Sequence, residues 1–212
     1  MSILKKPINK KSLVIILGSL LIIVGITLIS HKYINDNTKN NAENKAVEEF
    51  YDKDKINTNN NENNLSKEKI TPKNEVSNIN YVAILKIPKI NLTRGLVDRN
   101  SRYNNVNYNV EILDDSDTPD AVNGNVILAG HSGNARISYF RHLDKLTNGD
   151  EIILDYKNHS YEYIVSNIYD VEKTGTAVIN RDTNKNTLTL ITCRHNTKKQ
   201  IVVISYLKSI KN

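Results

Sequence analysis

Cys193 is the single cysteine among 212 residues, and it closes the apolar run TLTLITC at 187–193, directly before the polar segment RHNTKK. A thiol at a strand end, facing a loop, is open to a substrate, and a nearby cation lowers its pKa toward the reactive range. A free cysteine is more often a small buried hydrophobe. Two features point to chemistry instead: the boundary position, and His131, which holds a comparable place after the run NVILAG at 125–130. A thiol and an imidazole carried on the ends of two strands can meet on one rim, giving the Cys/His pair that acyl transfer through a thioester requires. The remaining histidines have other readings. His142 and His159 fall in a helical stretch and a turn, His31 flanks an apolar segment, and His195, two residues past Cys193, is the alternative base. With one cysteine there is no disulfide framework, and a Cys-based zinc site is disfavoured.

The elements that would carry these residues are short and β-prone. Runs at 82–87, 108–113, 125–129, 151–156, 161–171, 187–193 and 201–207 are separated by Asn, Asp and Gly, the texture of strands joined by turns. In SYFRHLDKLTNGD, Tyr139, Phe140, Leu143 and Leu146 recur at helical spacing after Ser138, and Asn148-Gly149 supplies a stop, so a helix is expected there. With 11 Tyr, 2 Phe and no Trp, the core is built from Ile, Leu, Val and Tyr, which leans toward strands. An all-helical bundle is disfavoured. The expected fold of residues 79–212 is a compact β-barrel or sandwich.

The segment Thr189-Leu190-Ile191-Thr192-Cys193 resembles the TLxTC signature of sortases, the membrane-anchored cysteine transpeptidases of Gram-positive bacteria. Ala129-Gly130-His131 is similar to the segment bearing their histidine, AILKIPKIN at 83–91 to their first strand, and the helix trailed by Asn148-Gly149-Asp150 to a further family feature. The resemblance covers 79–212. It implies a closed eight-stranded β-barrel with one or two short helices, with Cys193 as nucleophile, His131 as acid/base and Thr192 as part of the motif. It also implies cleavage of an LPXTG-like sorting signal between Thr and Gly, and transfer to an amine from a cell-wall precursor or a pilin lysine. No cofactor is needed for such a reaction.

Sortases also carry an arginine at the start of the strand after the cysteine, where it can hold substrate and stabilise an oxyanion. Here that stretch reads KKQIVV at 198–203. Lys199 or Gln200 would face the thiol across a hairpin. Arg194 can serve if the chain turns at once after Cys193, because alternation otherwise sends it to the opposite face. Arg181 is a further supplier. A surface cysteine endopeptidase and a non-catalytic binding domain remain as alternative readings.

The N-terminal part has a different character. LVIILGSLLIIVGITLI at 13–29 carries no charge and follows Lys5, Lys6, Lys10 and Lys11. Its length suits a bilayer crossing, and the lysines place the N-terminus in the cytoplasm and the domain outside. An uncleaved anchor at 13–30 after a basic segment at 1–12 is therefore expected, in preference to a signal peptide, since no small-residue cleavage site follows. Residues 31–78, rich in Asn, Lys and Glu, are expected to form a disordered tether, with a short helix at 42–51 as an option. The formal charge of +6 lies largely near the N-terminus and gives no ground for a nucleic-acid partner. Asp114, Asp115, Asp117 and Asp120 read as a solvated acidic turn in preference to a calcium site.

Overall fold

The computed structural model describes residues 10–59 and 80–212, and the chain divides into two units, Met1–Asn44 and Lys45–Asn212. Helix α1 runs Lys10–Asn59. Its window Val14–His31 is apolar with no buried side chain, and 18 residues at about 1.5 Å each reach about 27 Å. A helix apolar on every face and exposed on every face fits a membrane anchor.

The tether expected over 31–78 departs from this structure, which is helical as far as Asn59. Between His31 and Asn59 there is no Gly or Pro to break a helix. Residues 60–79, and residues 1–9 of the expected basic segment, lie outside the described residues. Within the second unit, Ala46, Val47, Phe50 and Tyr51 pack with Tyr103 on buried Tyr81, Ile84 and Val97. These are the apolar positions of the short helix weighed for 42–51.

Residues from Tyr81 onward form one eight-stranded sheet, curled into a nearly closed barrel. Its strands are β1 (Tyr81–Ile87), β2 (Leu92–Val97), β3 (Glu111–Ile112), β4 (Asn125–Ala129), β5 (Glu151–Tyr156), β6 (His159–Glu172), β7 (Thr187–Cys193) and β8 (Lys199–Lys211). The spatial order is β2-β1-β5-β6-β8-β7-β4-β3. Neighbours are antiparallel except β4 and β7, which run parallel. The turns follow local chemistry: Lys157 and Asn158 take φ of 48° and 62° in the two-residue loop between β5 and β6, as tight hairpins of that length require. Leu85, Ile87, Leu128, Leu154, Leu188, Leu190 and Val203 fill the interior. β4 and β7 are buried along nearly their whole length on both faces, which explains their continuous apolar runs.

Three local expectations are corrected. β2 was not expected; LTRGLV is short and interrupted by Gly95, where a Cβ would lie 2.3 Å from the Tyr81 ring, so glycine is what lets that ring cross the strand. The strand expected at 108–113 shrinks to Glu111–Ile112, because asparagine side chains upstream take over its backbone partners: Asn104 Oδ1 accepts the Ile112 N–H at 2.8 Å. The helix expected after Ser138 is instead a series of turns with one 3-10 turn, Leu143–Lys145. Backbone bonds there close over three residues, Leu143 to Phe140 and Leu146 to Leu143. Phe140, Leu143 and Leu146 are all buried, and a three-residue spacing puts all of them on one face of a 3-10 path.

Candidate active site

The register of β4 on β7 assembles the site. Asn125 pairs with Thr187 and each following residue keeps step up to Ala129 with Ile191. Backbone bonding continues past the strands, since Gly130 N–H donates to the Ile191 carbonyl at 3.1 Å. Thr192 Oγ1 donates to the Gly130 carbonyl at 2.7 Å. His131 follows Gly130 at the end of β4, and Cys193 follows Thr192 at the end of β7, so the register carries the two residues to neighbouring strand ends. Both residues are half-buried, so the thiol and imidazole are neither sealed in the core nor loose in solvent. Thr192 acts as a clasp between the two strand ends.

The chain around His131 is held from several sides. A Cβ at Gly130 would sit 2.9 Å from the Phe140 ring, so glycine here lets that ring pack under the strand end. Phe140 N–H donates to the His131 carbonyl at 3.0 Å. Arg141 grips the following loop, with Nε donating to the Gly133 carbonyl and a terminal nitrogen to the Ala135 carbonyl, each at 2.9 Å. The imidazole Nε2 lies 3.5 Å from Asn107 Oδ1.

On the other side of the thiol, β7 and β8 form a hairpin in which Cys193 pairs with Gln200. Paired residues share a face, so Gln200 is the cross-strand neighbour of the thiol. Arg194 N–H donates to the Lys199 carbonyl at 2.9 Å, so pairing persists one residue beyond Cys193 and the immediate turn that would have swung Arg194 to the thiol face is not made. Its guanidinium instead bonds Asp170 of β6, from Nε at 2.9 Å and a terminal nitrogen at 2.7 Å. Lys199, paired backbone to backbone with Arg194, shares that face and is exposed. Arg194 still borders a pocket of about 200 Å³ together with Cys193, His195, Ser132, Arg141 and Asp144.

Arg181 does not join the site. It donates to the carbonyls of Asn123 at 3.1 Å and Lys185 at 3.3 Å, beside the start of β7. Six strand steps separate Thr187 from Cys193, about 20 Å at ~3.3 Å per residue. His159 is also remote, its Nδ1 2.7 Å from the Lys157 carbonyl in the β5–β6 turn. The acidic turn is drawn into structure as well: Asp117 Oδ2 accepts the Asn125 N–H at 2.8 Å and Asp120 pairs with Lys157 at 3.0 Å. Among the described residues, no three His, Cys, Asp or Glu side chains converge as metal ligands would. Asn107 and Arg141 escaped the sequence reading, since neither stands in a motif or at a telling spacing.

A larger cavity of about 690 Å³ opens at the far end of the barrel, lined by Ala83, Leu96, Val126, Leu154 and Phe50. It holds none of the residues considered above for catalysis. A nearly closed eight-stranded barrel with one parallel strand pair has counterparts among known proteins. Sortase D of Bacillus subtilis (strain 168) is 34% identical over 112 residues, 52% of each chain, so this chain spans about half the length of the curated relative it matches. The Clostridium perfringens Sortase D5 transpeptidase superposes with a TM-score of 0.55 at 24% identity, covering 80% of this chain and 99% of its own. Sortase A from Corynebacterium diphtheriae does so with a TM-score of 0.55 at 22% identity, over 63% of either chain. These structural likenesses show the fold. The family model of the Sortase domain matches residues 85–208, more than half the chain and inclusive of both strand ends that carry His131 and Cys193, and by that match the chain belongs to the sortase family.

Proposed function

We propose that the chain is a membrane-anchored cysteine transpeptidase that cleaves an LPXTG-like sorting signal and joins the released acyl group to an amine. The observation that supports this reading is the β4–β7 register, which brings the strand ends followed by His131 and closed by the half-buried Cys193 side by side. In the first step the Cys193 thiolate attacks the carbonyl carbon of the substrate threonine. The tetrahedral oxyanion collapses, the C–N bond to glycine breaks, and the imidazolium of His131 protonates the departing amine. A thioester remains. An acceptor amine then attacks the same carbon, His131 takes its proton, and Cys193 leaves as thiolate. The Gln200 side-chain amide, cross-strand from Cys193, is the donor assigned to the oxyanion. The acceptor is a cell-wall precursor or a pilin lysine. The apolar window of α1 anchors the protein, with the lysine-rich N-terminus inside and the catalytic unit outside.

The test uses the full chain in detergent with an LPXTG-like peptide. Mass spectrometry should find the N-terminal peptide fragment as a thioester on Cys193, and an added amine should convert it to amide. Cys193→Ala should abolish both products. Release of free acid alone in the presence of abundant amine would make the protein an endopeptidase. Absence of any adduct would leave a binding domain.

A further inference from the structure

We infer that Asn107 is a positioning residue that holds His131 with its proton on Nε2 and so reserves Nδ1 for proton transfer at Cys193; this rests on the reading of Cys193 and His131 given above. Asn107 lies in the connection between β2 and β3, where successive asparagines replace a strand ladder. Asn104 Nδ2 donates to the carbonyls of Arg99 at 3.2 Å and Ile112 at 2.9 Å. Asn105 accepts the Asn107 N–H on its side-chain oxygen at 2.9 Å, and its carbonyl accepts the N–H groups of Tyr108 and Asn109 at 2.9 and 2.8 Å. Buried Asn109 accepts from Arg94 Nε at 2.5 Å and donates to the Gly95 carbonyl at 3.0 Å. Arg94 in turn stacks 4.1 Å over the Tyr139 ring. The Asn107 backbone is thus tied through its neighbours to β2 and to the segment after His131. Its side chain extends outward and meets the imidazole.

That contact has a chemical consequence. An amide oxygen only accepts, so with Oδ1 facing Nε2 at 3.5 Å the contact favours the proton there. A neutral imidazole carries one proton, and Nδ1 is then the bare nitrogen. In the imidazolium both nitrogens donate, and the Asn107 contact survives protonation. The base therefore keeps one orientation through both half-reactions, as a third group does in other nucleophile–base pairs. Nothing in NNVNYN at 104–109 signals this from sequence.

The experiment is nitrogen NMR of the His131 ring in the full chain, in micelles, for the natural sequence, Asn107→Ala and Asn107→Asp, alongside turnover of an LPXTG-like peptide. The Nε2–H tautomer should dominate in the natural sequence and mix with Nδ1–H in Asn107→Ala. In that variant kcat should fall roughly 10–100-fold, the range seen when the hydrogen bond behind a metal-ligating imidazole is removed, with KM and melting temperature unchanged. Asn107→Asp should keep the Nε2–H tautomer dominant, because a carboxylate oxygen accepts from Nε2 as the amide oxygen does. A dominant Nδ1–H form in the natural sequence, or Asn107→Ala within twofold in kcat with its tautomer unchanged, would overturn the assignment. If no peptide is turned over by any form, the transpeptidase reading fails, while the ring shifts still decide what Asn107 does to His131.

Discussion

Two regions of the catalytic unit are organised by opposite means. At the Cys193 rim, the reactive side chains are set by backbone register, with single light contacts around them. At the α1 seam, charged and polar side chains bind one another closely. Tyr51 donates to Asp155 Oδ2 at 2.5 Å, Lys86 pairs with the same oxygen at 2.7 Å and lies 5.0 Å over the Tyr51 ring, and Ser160 donates to the other carboxylate oxygen. Burial raises the Asp155 pKa, but hydrogen bonds from Lys86, Ser160 and Tyr51 outweigh it and hold the carboxyl below its ordinary value. Burial, then the bond to Asp155, pushes Tyr51 up to about 12. Perturbed titratable groups gather at active sites and at structural ion-pair networks alike. Here the dense cluster belongs to the joint between helix and barrel, and the sparse one to the proposed catalytic pair. Strong coupling suits a joint that must stay shut; the proposed cycle asks a thiol and an imidazole to exchange protons, and such groups need freedom to change charge.

The comparison breaks most visibly at His131. Its replacement by alanine should lower thioester formation by about 10²–10⁴-fold, the contribution of a positioned acid/base, whereas His195→Ala should stay within about threefold. Equal losses, measured by single-turnover mass spectrometry, would mean that the nearer histidine is the base. A smaller effect is expected across the hairpin. Gln200→Ala should cost about 10²-fold in rate, as loss of an oxyanion donor does, and Gln200→Arg should recover or exceed the natural rate. Unchanged rates in both would assign the oxyanion to backbone N–H groups or Arg194.

The smallest catalytic effect should come from the seam. Asp155→Ala leaves Tyr51 and Lys86 without their shared acceptor and should cost about 2 kcal/mol of stability, with kcat unchanged below the melting temperature. The pH dependence has a definite sign. Because the folded pKa of Asp155 is lowered, its contribution is present above the unfolded value of about 3.9 and is lost as pH falls through the folded one. Tyr51 contributes below its unfolded value of about 10 and loses that contribution as pH rises through about 12. Thermal unfolding from pH 3 to 10 should show the acid loss in the natural chain and a flatter acid limb in Asp155→Ala. A parallel loss of kcat would mean that the seam and the rim are one system.

What could be read from the residues follows from how each element is held. β4 and β7 were legible to the residue, because strands buried on both faces print as unbroken apolar runs between turn residues. That legibility carried His131 and Cys193 to neighbouring strand ends. β2 was hidden by a glycine whose reason, the Tyr81 ring, lies on another strand. The 3-10 path after Ser138 was misread because residues 140, 143 and 146 satisfy a helical period and a three-residue period alike, and only the barrel interior chooses between them. Arg194 turned on one residue of ladder beyond Cys193, and the loop that allows this turns through Asn196 at φ 57°, a conformation the sequence does not announce. Arg181 was a matter of strand ends: proximity in sequence to β7 is proximity to its start.

The parallel pairing of β4 and β7 also governs how the protein can vary. Sixty-one residues lie between His131 and Cys193, and they include β5, β6 and several loops. Bonds between the strands themselves, from Asn125 to Gly130, keep the register. Lengthening an intervening loop such as 173–186 therefore leaves the pair where it is, and doubling a flexible loop costs only about 0.6 kcal/mol in closure entropy. The walls around Cys193 can be rebuilt, by nature or by design, while the β4–β7 register is inherited unchanged.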